Sequence, residues 1–258
     1  MDYQTILVHE AAGVATITMN RPEVMNALNG QMRRELTEAL TRAQESARVI
    51  VLTGAGRAFC SGQDLADAQK VEAVDFETIL NEEYVPLLRA ITDSRLPVIA
   101  AVNGAAAGAG ANLALGCDVV IATKSASFIQ AFTRIGLIPD AGGTHWLPRQ
   151  IGLARALGAA LFAEKISAEE AARWGMIWEY AEDEAFEAQV ALRARHLATG
   201  PSLAYGALKK ALRESFSLDL AGSLALEASL QGACGASGDF REGVAAFLQK
   251  RPPQFRGS

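Results

Sequence analysis

The apolar run Val98-Ile-Ala-Ala-Val102 empties directly into a glycine-rich turn, Gly104-Ala-Ala-Ala-Gly108-Ala-Gly110-Ala-Asn112. A short helical segment from about Ala109 to Leu115 and a second apolar run, Val119-Val-Ile-Ala122, follow. A strand that ends in glycines and resumes as a helix before the next strand constrains the chain to an α/β layer architecture. In such folds, ligands meet the backbone where strands end. Small residues at Ala107 to Gly110 let a ligand approach the main chain, and a helix starting there aims unpaired N–H groups at it, which favours negative charge. The flanking segments agree. Ile6 to Glu10 and Val14 to Met19 read as a hairpin around Ala12-Gly13, Asn29 caps a helix running to about Ser46, and Val49 to Thr53 reads as a strand. A loop from Gly54 to Ala66 and an irregular acidic stretch to about Asn81 lead to a helix from Tyr84 to Thr92. From about Leu153 onward the pattern is almost purely helical, with capping signals at Ser167-Ala-Glu-Glu170 and Asp239-Phe-Arg-Glu242. The C-terminal helices carry apolar faces without a layer architecture of their own, and are expected to pack on the first domain or on another subunit.

A chain of 258 residues, half of them hydrophobic, buries a substantial core. The net charge of −5 argues against a nucleic-acid binder, which needs a dense cationic face. The sequence holds no apolar run long enough to span a membrane, and Met1-Asp-Tyr-Gln lacks the basic start of an export signal, so a cytoplasmic protein with no membrane partner is expected. Cys60, Cys117 and Cys234, odd in number and widely spaced, fit reduced structural thiols. No metal-ligating cluster is present, and the Gly108-x-Gly110-x-x-Leu113 run lacks the third glycine of a dinucleotide fingerprint, so neither a metal nor NAD nor ATP is expected.

A second glycine turn, Gly136-Leu-Ile-Pro139-Asp140-Ala-Gly142-Gly143-Thr144, offers one carboxylate between a rigid proline and two glycines. Taken locally, Asp140 is a turn former. Beside an anion-stabilising backbone, a single acid also suggests proton transfer. An apolar wall of Phe132, Ile135, Leu137 and Ile138 would raise its pKa if those side chains face it.

Four motifs occur in order: Asn20-Arg-Pro-Glu-Val-Met-Asn-Ala-Leu-Asn29, Gly54-Ala-Gly-Arg-Ala-Phe-Cys-Ser-Gly-Gln-Asp-Leu65 and the two turns above. On these the chain resembles the crotonase, or enoyl-CoA hydratase/isomerase, superfamily over essentially its whole length. The resemblance implies an α/β spiral of ββα units over residues 1–195, a C-terminal helical trimerisation region over 196–258, and trimers or dimers of trimers. It also implies acyl-CoA thioester substrates, with coenzyme A as part of the substrate and no separate cofactor. The family's oxyanion hole of two main-chain amides falls on the N–H groups of Gln63, after Gly62, and of Ala109, after Gly108. Each such donor is typically worth about 3 to 4 kcal/mol of transition-state stabilisation. The coenzyme side of the pocket falls on Ala27, Leu28, Asp64 and Leu65 as backbone or rim contacts, with Lys250 reaching a phosphate, on its own or a neighbouring subunit. Pro139 shapes the second turn, and Thr144 reads as a turn residue or helix cap.

Departures from the family pattern bear on the activity. Hydratases of the family use two glutamates, and the corresponding positions here hold Asn112 and Phe132. Neither is a base, so classical hydration loses a general acid/base pair worth about two to four orders of magnitude per group. Asn112 either hydrogen-bonds the acyl part or fills the vacated acid site. Asp140 aligns with the acid of several isomerase branches. The segment from Gly136 to Arg149 and the ending from Gly238 to Phe255 are similar to the branch that isomerises ring-epoxidised phenylacetyl-CoA. That branch implies an isomerase, with a shift of a 3-enoyl-CoA double bond to the 2 position as a companion activity. An atypical hydratase using Asp140 alone and a non-catalytic acyl-CoA binding subunit are the alternatives. His145, five residues after Asp140, is a structural or surface residue or a partner of that acid.

Overall fold

The computed structural model describes residues 3–65 and 75–258. Strands β1 (Ile6–Ala11) and β2 (Val14–Met19) form the expected antiparallel hairpin, pairing Ala11 with Val14. Its two-residue turn places Ala12 at φ 51° and Gly13 at φ 77°, the positive pair that matches the twist of the flanking strands. Helix α1 (Gly30–Ser46) starts where the Asn29 side chain accepts from the Met32 N–H at 2.8 Å, and it buries Met32, Leu36, Ala39, Leu40 and Ala43.

The remaining layers wind as a spiral. β3 (Val49–Gly54), β5 (Val98–Val102) and β7 (Val119–Thr123) lie parallel in a six-stranded sheet ordered β1-β2-β3-β5-β7-β10, with β10 (Glu179–Ala181) at its far edge. Each is followed within a few residues by a short strand of a second, four-stranded sheet: β4 (Ala58–Cys60), β6 (Ala105–Ala107) and β8 (Ser127–Ile129), with β9 (Ile166–Ser167) at its edge. Helices complete the units. The single turn α2 (Phe76–Ile79) runs through a π turn, Leu80–Tyr84, into α3 (Val85–Thr92); α4 (Ala109–Gly116) follows β6, and α5 (Gly143–Phe162) follows β8. This is the ββα spiral that the family resemblance implied.

Period-two alternation explains why the central strands read as continuous apolar runs. Ile50 and Leu52 of β3, and Val98, Ala100 and Val102 of β5, enter the main core with α1; Val49, Val51, Ile99 and Ala101 enter a second cluster under α7 (Phe186–Ala198). Both faces of the sheet are covered, so polar residues have no place in these runs. Burial of each large aliphatic side chain contributes roughly 1.5 to 3 kcal/mol.

Several expectations need correction. β4, β6 and β8 fall in segments read as loops or turns, because three-residue strands rich in alanine carry no periodic signal. The acidic stretch lies partly outside the described residues, at 66–74, and beyond it the chain is already helical from Phe76, where Asp75 accepts from the Thr78 N–H. The part beyond Leu153 is almost purely helical, as expected, with two short strands that carried no signal: β9 lies antiparallel to β8, and β10 lies parallel to β7. Ser167 does cap α6 (Ala168–Trp174), which ends at Gly175 in the left-handed region. The last helix, α10 (Gly238–Leu248), is capped by Ser237 rather than opened at Asp239. The buried Asp239 carboxylate instead accepts from the N–H groups of Arg256 and Gly257, tying down the C-terminal tail.

α8 (Ser202–Glu214) and α9 (Leu220–Gly235) complete the C-terminal part. α8 is clamped to the spiral by Asp118, which takes Lys209 at 2.6 Å and Arg213 at 2.9 Å, so the expected docking on the first domain is present. Leu212, Phe216, Phe247 and Leu248 are exposed, and Leu212, Phe247 and Leu248 line a groove between α8, α9 and α10. The three cysteines are free, and among the described residues no helix is long and apolar enough to cross a membrane.

Candidate active site

The Gly62-Gln63 segment lies against the start of α4. Gly62 has φ 94°, and a β-carbon there would stand 2.8 Å from the Ala107 carbonyl oxygen and 3.3 Å from the Ala109 nitrogen. Only glycine fits. Gln63 pairs with Leu28 in a parallel bridge, in which Leu28 donates to the Gly62 carbonyl at 2.8 Å and Asp64 donates to the Leu28 carbonyl at 3.1 Å. That pattern leaves the Gln63 N–H out of the ladder. The Ala109 N–H, first in its helix, has no intrahelical acceptor either, and neither amide is hydrogen-bonded to another described residue. Two unpaired donors in adjoining segments can hold one oxygen that gains negative charge.

The Gln63 side chain is engaged in a buried network. Its Oε1 accepts from Arg33 Nη1 at 2.8 Å and from the Tyr84 hydroxyl at 2.7 Å. Arg33 also donates to the Leu28 carbonyl and to Glu83, and its guanidinium lies 5.0 Å from the centre of the Tyr84 ring. Sequence reasoning missed Arg33 and Tyr84. Arg33, one helical turn past the Asn29 cap, and Tyr84, at the start of the helix after the acidic stretch, carry no local signal of a shared role until the fold brings them together.

Asp140 opens a tight turn. Its carbonyl accepts from the Gly143 N–H at 2.8 Å, with Ala141 at φ 46° and Gly142 at φ 81°, a type I′ geometry. Ala141 is therefore held in the left-handed region, at a cost of about 1 to 2 kcal/mol. The Asp140 Oδ1 atom is buried with no hydrogen-bond donor among the described residues, and burial pushes the carboxyl up to about 6. Of the expected apolar wall, Phe132 is buried, whereas Ile135 and Ile138 are 56% and 76% exposed. Tyr84 lies within electrostatic reach of this acid. Burial raises the phenol's pKa, Arg33 lowers it, and the Asp140 charge raises it further.

Asn112 makes a contact that neither sequence reading foresaw. Its Nδ2 donates to the Asp140 carbonyl at 2.8 Å, and its Oδ1 accepts from Gln130 Nε2 at 2.8 Å. Both polar ends are thus occupied within the protein. Phe132 sits over Gly108, with its ring 3.7 Å from where a β-carbon would be.

The coenzyme-side candidates divide. Leu28 is fully buried and both of its backbone groups are used internally, so it supports the Gln63 segment rather than lining a ligand. Asp64 is paired with Arg21 at 2.8 Å, and Arg21 also donates to the Ala27 carbonyl. Leu65 is exposed, and Pro139 is half-buried beside Asp140. Thr144 is exposed inside the first turn of α5, whose cap is Gly142, so it is not the cap. Lys250 is exposed after α10, and no hydrogen bond or ion pair joins it to the other candidates among the described residues. His145 is exposed with its ring edge-on to Trp146 at 4.6 Å, and it is not bonded to Asp140. A groove of about 1160 Å³ between α8, α9 and α10 includes none of the candidate site residues in its lining.

The family model described as enoyl-CoA hydratase/isomerase matches residues 9–258. The chain belongs to the enoyl-CoA hydratase/isomerase family. It is 65% identical, over 100% of both chains, to a protein of Rhodobacter capsulatus named "probable enoyl-CoA hydratase". It is 48% identical, over 98% of each, to the 1,2-epoxyphenylacetyl-CoA isomerase of Escherichia coli. Among solved structures, the enoyl-CoA hydratase of Bacillus anthracis superposes with a TM-score of 0.92 at 33% identity, covering 99% of this chain and 100% of that one. The protein is thus an enzyme of the crotonase family that acts on acyl-CoA, with relatives named for hydration and for isomerisation.

Proposed function

We propose that this enzyme is an acyl-CoA isomerase working with one carboxylate. The observation that carries the reading is the unpaired, buried Asp140 Oδ1, on a carboxyl raised to about 6. A base of that pKa is ionised at neutral pH yet basic enough to take a proton activated by a thioester. For a 3-enoyl-CoA, Asp140 removes a proton from C2 while the Gln63 and Ala109 N–H groups hold the dienolate oxygen. The protonated acid then returns the proton at C4, giving the conjugated 2-enoyl-CoA. The 48% relative adds ring-epoxidised phenylacetyl-CoA, isomerised to its oxepin, as a substrate of the same site. Ala27 and Leu65 are assigned to the rim of the coenzyme pocket, and Lys250 to a coenzyme phosphate at a neighbouring subunit. The exposed apolar faces of α8 and α10 are assigned to contacts between copies in a trimer or a dimer of trimers.

The name of the 65% relative favours hydration as the second reading. Against it stand Asn112 and Phe132 at the two positions where the family's hydratases carry glutamates, and the occupation of both Asn112 polar ends. Incubation with 3-enoyl-CoA and 2-enoyl-CoA separates the two. Conjugated thioester absorbance appearing from the former supports isomerisation. Formation of 3-hydroxyacyl-CoA from the latter, with no turnover of the former, replaces this proposal with hydration.

A further inference from the structure

The carboxamide of Asn112 occupies a fully buried site between two elements that are distant in sequence, and its orientation is dictated from one end. The Asp140 carbonyl is an acceptor only, so the group facing it at 2.8 Å has to be the Asn112 NH2. The Asn112 oxygen then faces Gln130, which has to present its own NH2, as it does at 2.8 Å. Gln130 is 1% exposed, and its Oε1 has no partner among the described residues, so a buried acceptor is left unsatisfied to keep the donor aimed at Asn112. Leaving such an atom unpaired costs about 1 to 3 kcal/mol. The backbone makes room on the other side: a β-carbon on Gly143 would overlap the Asn112 carboxamide, with Oδ1 at 3.0 Å. Gly143 also supplies the second hydrogen bond to the same Asp140 carbonyl.

We infer that Asn112 and Gln130 are positioning residues that aim the Asp140 carboxyl, with Gly143 as the space that admits them. The inference rests on the reading of Asp140 as the base. The main-chain oxygen of Asp140 is held by two donors from different elements, α4 and the type I′ turn itself. Fixing that carbonyl fixes the Cα–Cβ direction from which the carboxyl projects, with Oδ1 left without a donor among the described residues and the residue's own N–H the one hydrogen bond that lowers its pKa against the larger effect of burial. A glutamate at position 112, as in hydratases of the family, cannot donate to that carbonyl when ionised. The residue that removes one acid from this site is therefore the residue that steadies the other.

Asn112→Leu keeps an approximate shape and removes the donor. It is expected to lower kcat for conversion of 3-enoyl-CoA by about 10- to 100-fold, the range expected for a misplaced catalytic group, with KM unchanged. Gln130→Met, which leaves the Asp140 carbonyl to orient Asn112 alone, is expected to give a smaller fall in kcat, again with constant KM. Gly143→Ala, which pushes the carboxamide away, is expected to follow Asn112→Leu. A fall in kcat matched by a rise in KM in all three would mean general loosening around α4 and would overturn the inference, as would unchanged kcat. If Asn112→Leu does not fold, Gln130→Met and Gly143→Ala decide alone by the same criteria. Asp140→Asn separates the two levels. Retained turnover there removes the base, whereas lost turnover with intact kcat in the other variants removes only the positioning role.

Discussion

Gly62 and Ala109, far apart in the chain, pack so closely that a β-carbon on the first would stand 3.3 Å from the amide nitrogen of the second. This contact sets the amide of Gln63 beside that of Ala109. It arises because β4 and β6 are neighbours in the small sheet, so the segments that leave them run side by side.

Gly62→Ala should therefore damage catalysis more than stability. The added methyl meets the Ala107 carbonyl at 2.8 Å in a backbone with φ 94°, and the segment has to shift. A loss of one oriented donor lowers kcat by about 10²- to 10³-fold. Steady-state kinetics beside a thermal melt would show it, and full activity would argue against the two-amide arrangement.

Asp140→Asn is expected to abolish turnover, by about 10²-fold or more, while leaving the affinity for a coenzyme A thioester intact. The same variant should melt higher at neutral pH. The folded-state pKa, about 6, lies above the ordinary carboxyl value of 3.8, so between those values the folded form holds a proton that the unfolded form releases. Stability falls as pH rises through that window and stays lowered above it. Removing the charge recovers up to about 3 kcal/mol at pH 7 by the usual conversion.

With Asp140 as the base, kcat/KM should rise with pH through about 6 and level off above it. Below that value the slope is about tenfold per pH unit. A profile flat from pH 5 to 8 would assign the proton transfer to another group.

Arg33→Met should be strongly destabilising. Arg33 is 3% exposed, and its guanidinium serves Leu28, Gln63 and Glu83 together. Breaking a buried pair of this kind costs about 3 to 5 kcal/mol, less here because Glu83 is partly exposed. Denaturant titration measures the loss. A shift below about 1 kcal/mol would show that the network is not holding the Gln63 segment.

Phe247→Glu tests the exposed apolar face of α10 along the groove between α8, α9 and α10. Phe247 is 81% exposed in the single chain, and a charge there should reduce the mass seen by sedimentation. An unchanged mass, or a wild-type protein that already sediments as a monomer, would remove this face from subunit contacts.

The hairpin, α1, the apolar strands and the helix after Gly108 are legible in the sequence because each depends on local periodicity, caps and turn residues. Asn29, Ser167 and Gly175 act at the ends where their chemistry places them. The four motifs in order also carry the family and its spiral. The short strands β4, β6 and β8 are not legible, since what makes them strands is the neighbour across the small sheet. The same holds for the site. Asp140 stands out as an acid in a glycine turn, but the absence of any donor on its Oδ1 is a property of the surrounding packing.

The amino-acid sequence by itself determined the order of layers, the two glycine turns and the presence of one acid where the family's hydratases have two. Tertiary structure alone decided that the Asn112 carboxamide bonds the Asp140 carbonyl, that Leu28 pairs with the Gln63 segment, and that Arg33 and Tyr84 share the Gln63 carboxamide. Local patterns encode backbone conformation within a few residues. A hydrogen bond between residues 28 or 50 positions apart exists only once both elements are packed, and burial then sets what each polar atom can do.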